Sequence, residues 1–112
     1  MERINFKPGG DFDWSGDITL EGVSDFTGYT VASEIRVRDS QGNPVAGAPL
    51  STATVTWLDA AAGIFRLLVP GASTESWPSS GKLLIDIKIT SPGGGIVYSD
   101  TATIVITPKV TA

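Results

Sequence analysis

Three aspartates near the start of the sequence have a spacing that metal sites use. Asp11, Asp13 and Asp17 form a D-x-D-x-x-x-D pattern in a segment flanked by glycines, and clustered carboxylates are the ligands that Ca²⁺ prefers. The segment lacks the terminal Glu that completes an EF-hand loop. Trp14 and Ile18, which lie within it, have the character of strand residues. We therefore interpret the three carboxylates as solvated side chains, and we predict no metal and no other cofactor.

Few side chains are available for catalysis. The chain has no Cys and no His, which removes thiol nucleophiles, imidazole bases and the usual zinc ligands. Pairs among its twelve Asp and Glu residues have the chemistry for glycoside hydrolysis, but so short a chain has little material from which to build a cleft. The turn Ser91–Gly95 is rich in glycine but lacks the spacing of a phosphate-binding loop. The sequence therefore favours a protein that is not an enzyme.

The aromatic residues offer another kind of site. A sugar ring could stack on a platform of the larger ones, as in many β-sandwich carbohydrate-binding modules; they are Trp14, Trp57, Trp77, Tyr29 and Tyr98. Tyr29 and Trp57 share the parity of the apolar positions in their predicted strands, so core packing is expected for both. Because two of the five residues are expected in the core, a carbohydrate-binding or adhesin-like module is kept only as an alternative.

The charge distribution argues against a nucleic-acid partner. The formal net charge is −4, and phosphate binding needs Lys and Arg clustered on one face. Only Arg3 and Lys7 oppose the acidic residues at the start of the chain, which are Glu2, Asp11, Asp13, Asp17, Glu21 and Asp25. No apolar run approaches the roughly 18 residues that span a bilayer, and Met1–Gly10 has no apolar signal-peptide core. We expect a soluble protein, made in the cytoplasm, with no membrane partner.

The periodicity of the sequence predicts strands. Between Tyr29 and Arg38, mostly apolar residues at odd-numbered positions alternate with mostly polar residues at even-numbered positions, as a half-buried strand requires. The segment Lys82–Thr90 repeats this alternation, with inward positions at Leu83, Ile85, Ile87 and Ile89. We expect these two strands to supply the middle of the core through Ile35 and Ile87.

Weaker alternation marks further strands, with inward positions that include Ile18, Leu20, Val55, Leu67 and Ile104. Turns rich in Gly, Pro, Asn and Asp separate them. About seven short strands at spacings of about 8–12 residues are typical of an antiparallel sandwich or barrel. We therefore predict an all-β fold with a single domain over residues 1–112. Only the stretch Gly71–Gly81 breaks the pattern, and there we expect one helical turn around Thr74–Trp77 that ends at Pro78.

Apolar residues at outward positions indicate a surface for partners. They are Leu84, Leu68, Val105, Ile64 and Val97, and if two or three lie side by side they form a patch worth burying against another subunit. The predicted final strand, Ile96–Thr107, is long and carries one charge, at Asp100, so it is poorly protected as a free edge. The sequence therefore predicts self-association.

Several segments resemble a known family. They are the Gly10, Asp11 and Trp14 region, DFTGYTVASEIRVR at Asp25–Arg38, DAAAGIFRLLV at Asp59–Val69, STESW at Ser73–Trp77, GKLLIDIKIT at Gly81–Thr90 and IVYSDTATIVIT at Ile96–Thr107. Together they resemble the immunoglobulin-like amino-terminal domain of bacteriophage baseplate upper proteins and related small tail proteins. The sequence departs from the family where Ile85 precedes Asp86 in place of a Tyr-Asp pair.

The resemblance implies an antiparallel immunoglobulin-like β-sandwich of about seven strands, and a location in the phage virion. It implies a structural protein of the tail or baseplate that contacts copies of itself, as a trimer or hexamer, and another virion protein. A capsid decoration protein is the alternative within the same class. Family members usually continue into a long carboxy-terminal region that binds the receptor-binding protein. The present sequence ends at Ala112, so the resemblance does not imply a direct role in host recognition.

Overall fold

The computed structural model describes residues 3–108, and the prediction of an all-β fold is confirmed. The elements in chain order are β1 (Arg3–Phe6), β2 (Phe12–Asp17), β3 (Thr30–Val37), β4 (Ser51–Asp59), β5 (Ile64–Val69), α1 (Gly71–Thr74), β6 (Gly81–Thr90), β7 (Ile96–Tyr98) and β8 (Ala102–Ile106). The eight strands form a mixed sheet in the order β1-β8-β6-β3-β4-β5-β2, and β7 pairs with β6. The pairing of β1 with β8 is parallel, whereas the other strand pairs are antiparallel.

Strand β4 turns the sheet towards a barrel. Its first residues, Ser51–Ala53, pair with β3, and its later residues, from Thr54 to Asp59, pair with β5. The register shifts between Trp57 and Asp59, as at a β-bulge, and bulges increase the local bend of a strand. One strand therefore joins two groups, which we name the β6 side (β1, β8, β6, β7 and β3) and the β5 side (β4, β5 and β2).

The two most regular predicted strands supply the core, as the alternation indicates. Ile35 in β3 is completely buried, and Ile87 in β6 is 1% exposed. The inward residues of β6 are all buried, and they are Leu83, Ile85, Ile87 and Ile89. Leu67 and Ile104, from β5 and β8, complete the centre from the other strands. The inward parity predicted for these strands is therefore confirmed.

The segment around α1 closes one end of the fold. The predicted helical turn occurs a little earlier than expected, at Gly71–Thr74. Thr74 is fully buried; its hydroxyl accepts a hydrogen bond from the Gly9 N–H (2.9 Å) and donates one to the Gly10 carbonyl (2.7 Å). The Trp77 ring packs edge-on against Phe6 and lies 5.8 Å from the Phe12 ring. Trp77 is 5% exposed, so it belongs to the core at this end of the fold.

The strand predictions near the two chain ends are wrong in part. Strand β1 has too few residues for its alternation to stand out, and it forms because Arg3–Phe6 pairs with β8. The predicted strand Ile96–Thr107 is two strands, because Ser99–Thr101 leave the regular ladder. The Ile87 N–H donates to the Ser99 hydroxyl (2.9 Å), and the Ser99 N–H donates to the Ile87 carbonyl (2.9 Å). A side chain therefore replaces a backbone group at the break, and β7 and β8 follow the same edge of β6.

Candidate functional site

The exposure predicted for Leu84 is wrong. Leu84 is 8% exposed although its side chain is on the outer side of β6. β6 is a central strand, and Leu84 lies in register between Arg36 of β3 and Thr103 of β8. Side chains on both neighbouring strands therefore cover it. Leu84 forms the floor of a groove and not a protruding contact.

The other four predicted contact residues do not form one patch. Leu68 and Val105 are half-buried, whereas Ile64 and Val97 are 37% and 45% exposed. Leu68 and Ile64 lie on β5, and Val105 lies on β8 of the β6 side. Val97 lies on β7, which pairs with β6 alone. The structure therefore separates these residues between the two sides, and only Val97 lies on a strand that has a free edge in the described chain, β7.

Strand β7 is an apolar free edge. Its residues Ile96, Val97 and Tyr98 are 52%, 45% and 59% exposed, and no charged residue occurs between Lys88 and Asp100. The other two edge strands of the described chain carry charges, with Arg3 on β1 and Asp13 and Asp17 on β2. Charges on an edge strand discourage pairing with another chain. β7 is therefore the edge that lacks this protection.

The register gives β7 two different faces. Val97 pairs with the buried Ile89, so its side chain lies on the inner face. Tyr98 pairs with the exposed Lys88, and Ile96 pairs with Thr90, so both lie on the outer face. Sequence reasoning singled out Val97 but missed Ile96 and Tyr98 as contact candidates. The signal that could have found them is the uncharged run that follows Lys88.

A groove runs between β7 and the opposite edge of the sheet, and we name it the seam. Residues 14–23 form one wall, and residues 96–102 form the other. The larger part has a volume of about 570 Å³, with Phe65, Ile87 and Ile89 at its base, and the smaller part has about 340 Å³. β2, in the first wall, pairs only with β5. The seam therefore separates two strands that each have one unpaired edge.

The seam is acidic. Asp17 and Glu21 lie on one wall and Asp100 lies on the other. All three side chains are exposed. No Lys or Arg among residues 3–108 lines either part of the seam. The carboxylates therefore give the rim of the groove a negative potential.

A second groove, of about 450 Å³, lies on the outer face above Leu84. Pro44 and Tyr98 contribute apolar walls, and Glu34 pairs in register with Asp86 across β3 and β6. Arg36 offsets the Glu34 charge through an ion pair of 3.0 Å. Burial, together with the nearby Glu34 charge, raises the pKa of Asp86. This groove therefore combines an apolar floor with a carboxylate that is destabilised when charged.

The raised pKa predicts that Asp86→Asn stabilises the fold at neutral pH. Because the native pKa of Asp86 is raised, its contribution to stability is fully present below the pKa of the unfolded chain, near 3.8. That contribution is lost as the pH rises through the higher native pKa. The substitution removes that loss. We expect a rise in melting temperature of a few degrees at most at pH 7, because solvent screens this half-buried carboxylate, and none at pH 3. Melts at both values measure it, with the exposed Asp100→Asn as the matched change of charge. An equal effect at both pH values would contradict the prediction.

The three aspartates of the D-x-D-x-x-x-D pattern do not converge on one site. The Asp11 carboxylate accepts a hydrogen bond from the Gly71 N–H (2.7 Å), which ties β2 to α1. Asp13 forms a bidentate ion pair with Arg66 of β5, at 2.8 and 3.0 Å, and the Arg66 hydrogen bond lowers the pKa of Asp13. Asp17 lies in the seam. Within residues 3–108 no group of three or more His, Cys, Asp or Glu side chains could hold a metal ion.

The aromatic residues do not form a common platform. Trp77 is buried, and Trp14, Trp57 and Tyr29 are half-buried. Core packing is confirmed for the pair expected to pack there, because the Trp57 Nε1–H donates to the Tyr29 carbonyl (3.0 Å) and both residues border the core. Tyr98 is the one exposed member of the five.

Comparison with other proteins adds no family to this description. No protein-family model matches the chain, and no curated protein matches it significantly. No helix within residues 3–108 has the length and hydrophobicity needed to cross a membrane.

Proposed function

We propose that the protein is a non-enzymatic structural component of a bacteriophage virion, from the tail or baseplate, that binds copies of itself and another virion protein. The exposed, uncharged edge strand β7 is the observation that carries the proposal. The resemblance of Asp25–Arg38 and the later segments to phage baseplate domains supports the proposed virion location.

The physical argument concerns what covers β7. Free edge strands are usually blunted by charge, by Pro or by another part of the same chain. In the described residues β7 has none of these, and it carries three consecutive exposed apolar side chains. Exposed apolar surface of this kind is typical of interfaces. We therefore propose that neighbouring chains cover β7 in the particle, and that copies of the protein meet at its outer face, around Tyr98 and the Leu84 groove.

We further propose that the curled sheet is an immunoglobulin-like sandwich. The transfer of β4 from β3 to β5 supports this, because it divides the strands into two groups that face a common core. The antiparallel pairing of every strand pair except β1 with β8 is in keeping with it. β1 would then be an added parallel strand at one edge.

Sedimentation of the purified protein over a wide concentration range tests self-assembly. We expect oligomers, with three or six copies favoured by the resemblance to phage tail proteins, because closed symmetric rings are the usual outcome for homo-oligomers. Tyr98→Lys should weaken the association at least about tenfold, equivalent to about 1.4 kcal/mol, because it places a charge in the apolar contact.

Leu58→Lys is the matched control, since Leu58 and Tyr98 are both 59% exposed and Leu58 lies on β4 of the β5 side. It should leave the association unchanged, and neither variant should lower the melting temperature of the monomer. A protein that stays monomeric at all concentrations would refute self-assembly. Equal weakening by the two variants would place the contact away from β7.

A further inference from the structure

We infer that the seam is a docking site for an extended segment of a second virion protein, which enters as an added strand along β7 and carries Lys or Arg. This inference rests on the proposed function only in requiring that a neighbour covers β7. It adds the conformation and the charge of that neighbour, and it separates the neighbour from the copies proposed to meet at the outer face.

The backbone supports strand addition. Within residues 3–108, β7 pairs only with β6 and β2 pairs only with β5, so each has one edge without a partner strand. The two walls of the seam contain these strands. β7 offers a strand edge of three residues, Ile96–Tyr98. A strand rises about 3.3 Å per residue, so an extended segment of about seven residues would pair with this edge and continue along the wall as far as residue 102. Strand addition to a sheet edge uses main-chain hydrogen bonds for affinity and side-chain pockets for specificity.

The side chains of the seam define an alternating ligand. The base is apolar, with Phe65, Ile87 and Ile89 below the opening, and Val97 adds to it from the inner face of β7. Successive residues of a strand point to opposite sides. Every second residue of the bound segment should therefore be apolar and enter the groove, while the residues between them face the rim.

The charge of the rim selects basic residues. Asp17, Glu21 and Asp100 line the seam, and no Lys or Arg of residues 3–108 does so. A segment with Lys or Arg at its outward positions would gain from this potential, and an acidic segment would be repelled. The β7 strand of a second copy has no charged residue. Charge complementarity therefore favours a segment of another protein over a copy of β7.

Peptide binding tests the inference. The probe is a capped seven-residue peptide in which Lys alternates with Val, and the signal is the fluorescence of Trp14, which lines the seam, supported by calorimetry. We expect saturable binding. The same peptide with Glu in place of Lys should bind at least tenfold more weakly because its charge is reversed. A version with Pro at the central position should also lose at least tenfold, because Pro lacks the N–H that a strand donates.

Variants of the protein locate the site. Asp17→Asn and Asp100→Asn should each weaken binding of the Lys peptide several-fold. Glu75→Gln should not, although it makes the same change of charge, because Glu75 is an exposed residue outside the seam. Tyr98→Lys cannot locate the peptide, because Tyr98 lines both the seam and the outer groove. Failure of the Lys peptide to bind, or equal binding of the Lys, Glu and Pro peptides, would overturn the inference.

The outcomes for the two proposals are distinguishable. Oligomers that Tyr98→Lys disrupts, in a protein that does not bind the Lys peptide, would leave the proposed function standing and overturn the inference. A strict monomer that binds the Lys peptide selectively would refute self-assembly and leave the inference standing. If peptide affinity falls as the protein oligomerises, a second copy occupies the seam, and that result would also overturn the inference.

Discussion

Replacing Ile35 or Ile87 with Ala should lower the free energy of unfolding by about 2–5 kcal/mol. Both side chains are at most 1% exposed and lie at the centre of the core, on the paired strands β3 and β6. Truncation removes buried apolar surface and leaves a cavity that the two ladders prevent from collapsing. Since small domains have total stabilities of about 5–15 kcal/mol, either variant should lose a large share of its stability.

Chemical denaturation of the wild type and both variants measures this loss. Leu58→Ala is the matched control, because Leu58 is 59% exposed and lies on β4, away from the contact proposed for β7, and surface substitutions usually change stability by about 0.5 kcal/mol or less. The midpoint of unfolding should fall strongly for the two core variants and hardly at all for the control, with the denaturant slope unchanged. Similar midpoints for all three variants would mean that the assignment of inner and outer positions on β3 and β6 is inverted.

Gly63→Ala should be comparably destabilising, for a different reason. Gly63 has φ +73°, in the left-handed region, where an L residue with a Cβ costs about 1–2 kcal/mol. A Cβ there would also lie 2.6 Å from the Ile18 carbonyl oxygen and 3.0 Å from the Phe26 ring. Forcing a larger group into such a packed site costs about 1–3 kcal/mol more.

Neither neighbour can move aside easily. The Ile18 N–H donates to the Gly63 carbonyl (2.8 Å), and the Phe26 N–H donates to the Ala60 carbonyl (2.9 Å), so this turn holds both residues in place. Phe26 is also 3% exposed. The cost of the added methyl group therefore stays within the turn that leads into β5.

Gly22→Ala separates the two contributions to that cost. Gly22 has a similar φ of +82°, and a Cβ there would meet no atom within 4 Å. It should therefore show the conformational cost alone. Denaturation of both variants measures the difference, and equal losses would show that the close contacts at Gly63 contribute nothing.

Several features of the protein were predictable from its sequence. The strict alternation in Tyr29–Val37 and Lys82–Thr90 predicts β3, β6 and their buried positions, because the side-chain period of a strand is a local property of the backbone. The turn residues of Asp59–Gly63 predict the chain reversal between β4 and β5. The uncharged segment before Asp100 predicts an unprotected edge. Composition alone removes the chemistries that depend on Cys and His.

The tertiary structure decided which outward residues reach solvent. Parity places Leu84 and Val105 on outer faces, but the exposure of such residues depends on what the neighbouring strands contribute. Leu84 is covered because β6 has a partner on each side, and β8 is no longer an edge because β1 pairs with it from the other end of the chain. Pairing between distant segments leaves no local pattern in the sequence.

The same reason explains the candidate site. Asp11, Asp13 and Asp17 are close in sequence, yet they do not form one site. Asp11 accepts a hydrogen bond from Gly71 of α1, whereas Asp13 pairs with Arg66 of β5. Asp17 lies in the seam. The acidic seam combines Asp17 with Asp100, which are distant in sequence and meet only when the sheet curls. Local alternation therefore determined the strands and their inner faces. Long-range pairing alone determined the seam and its charge, because both are formed by residues that are distant in the sequence.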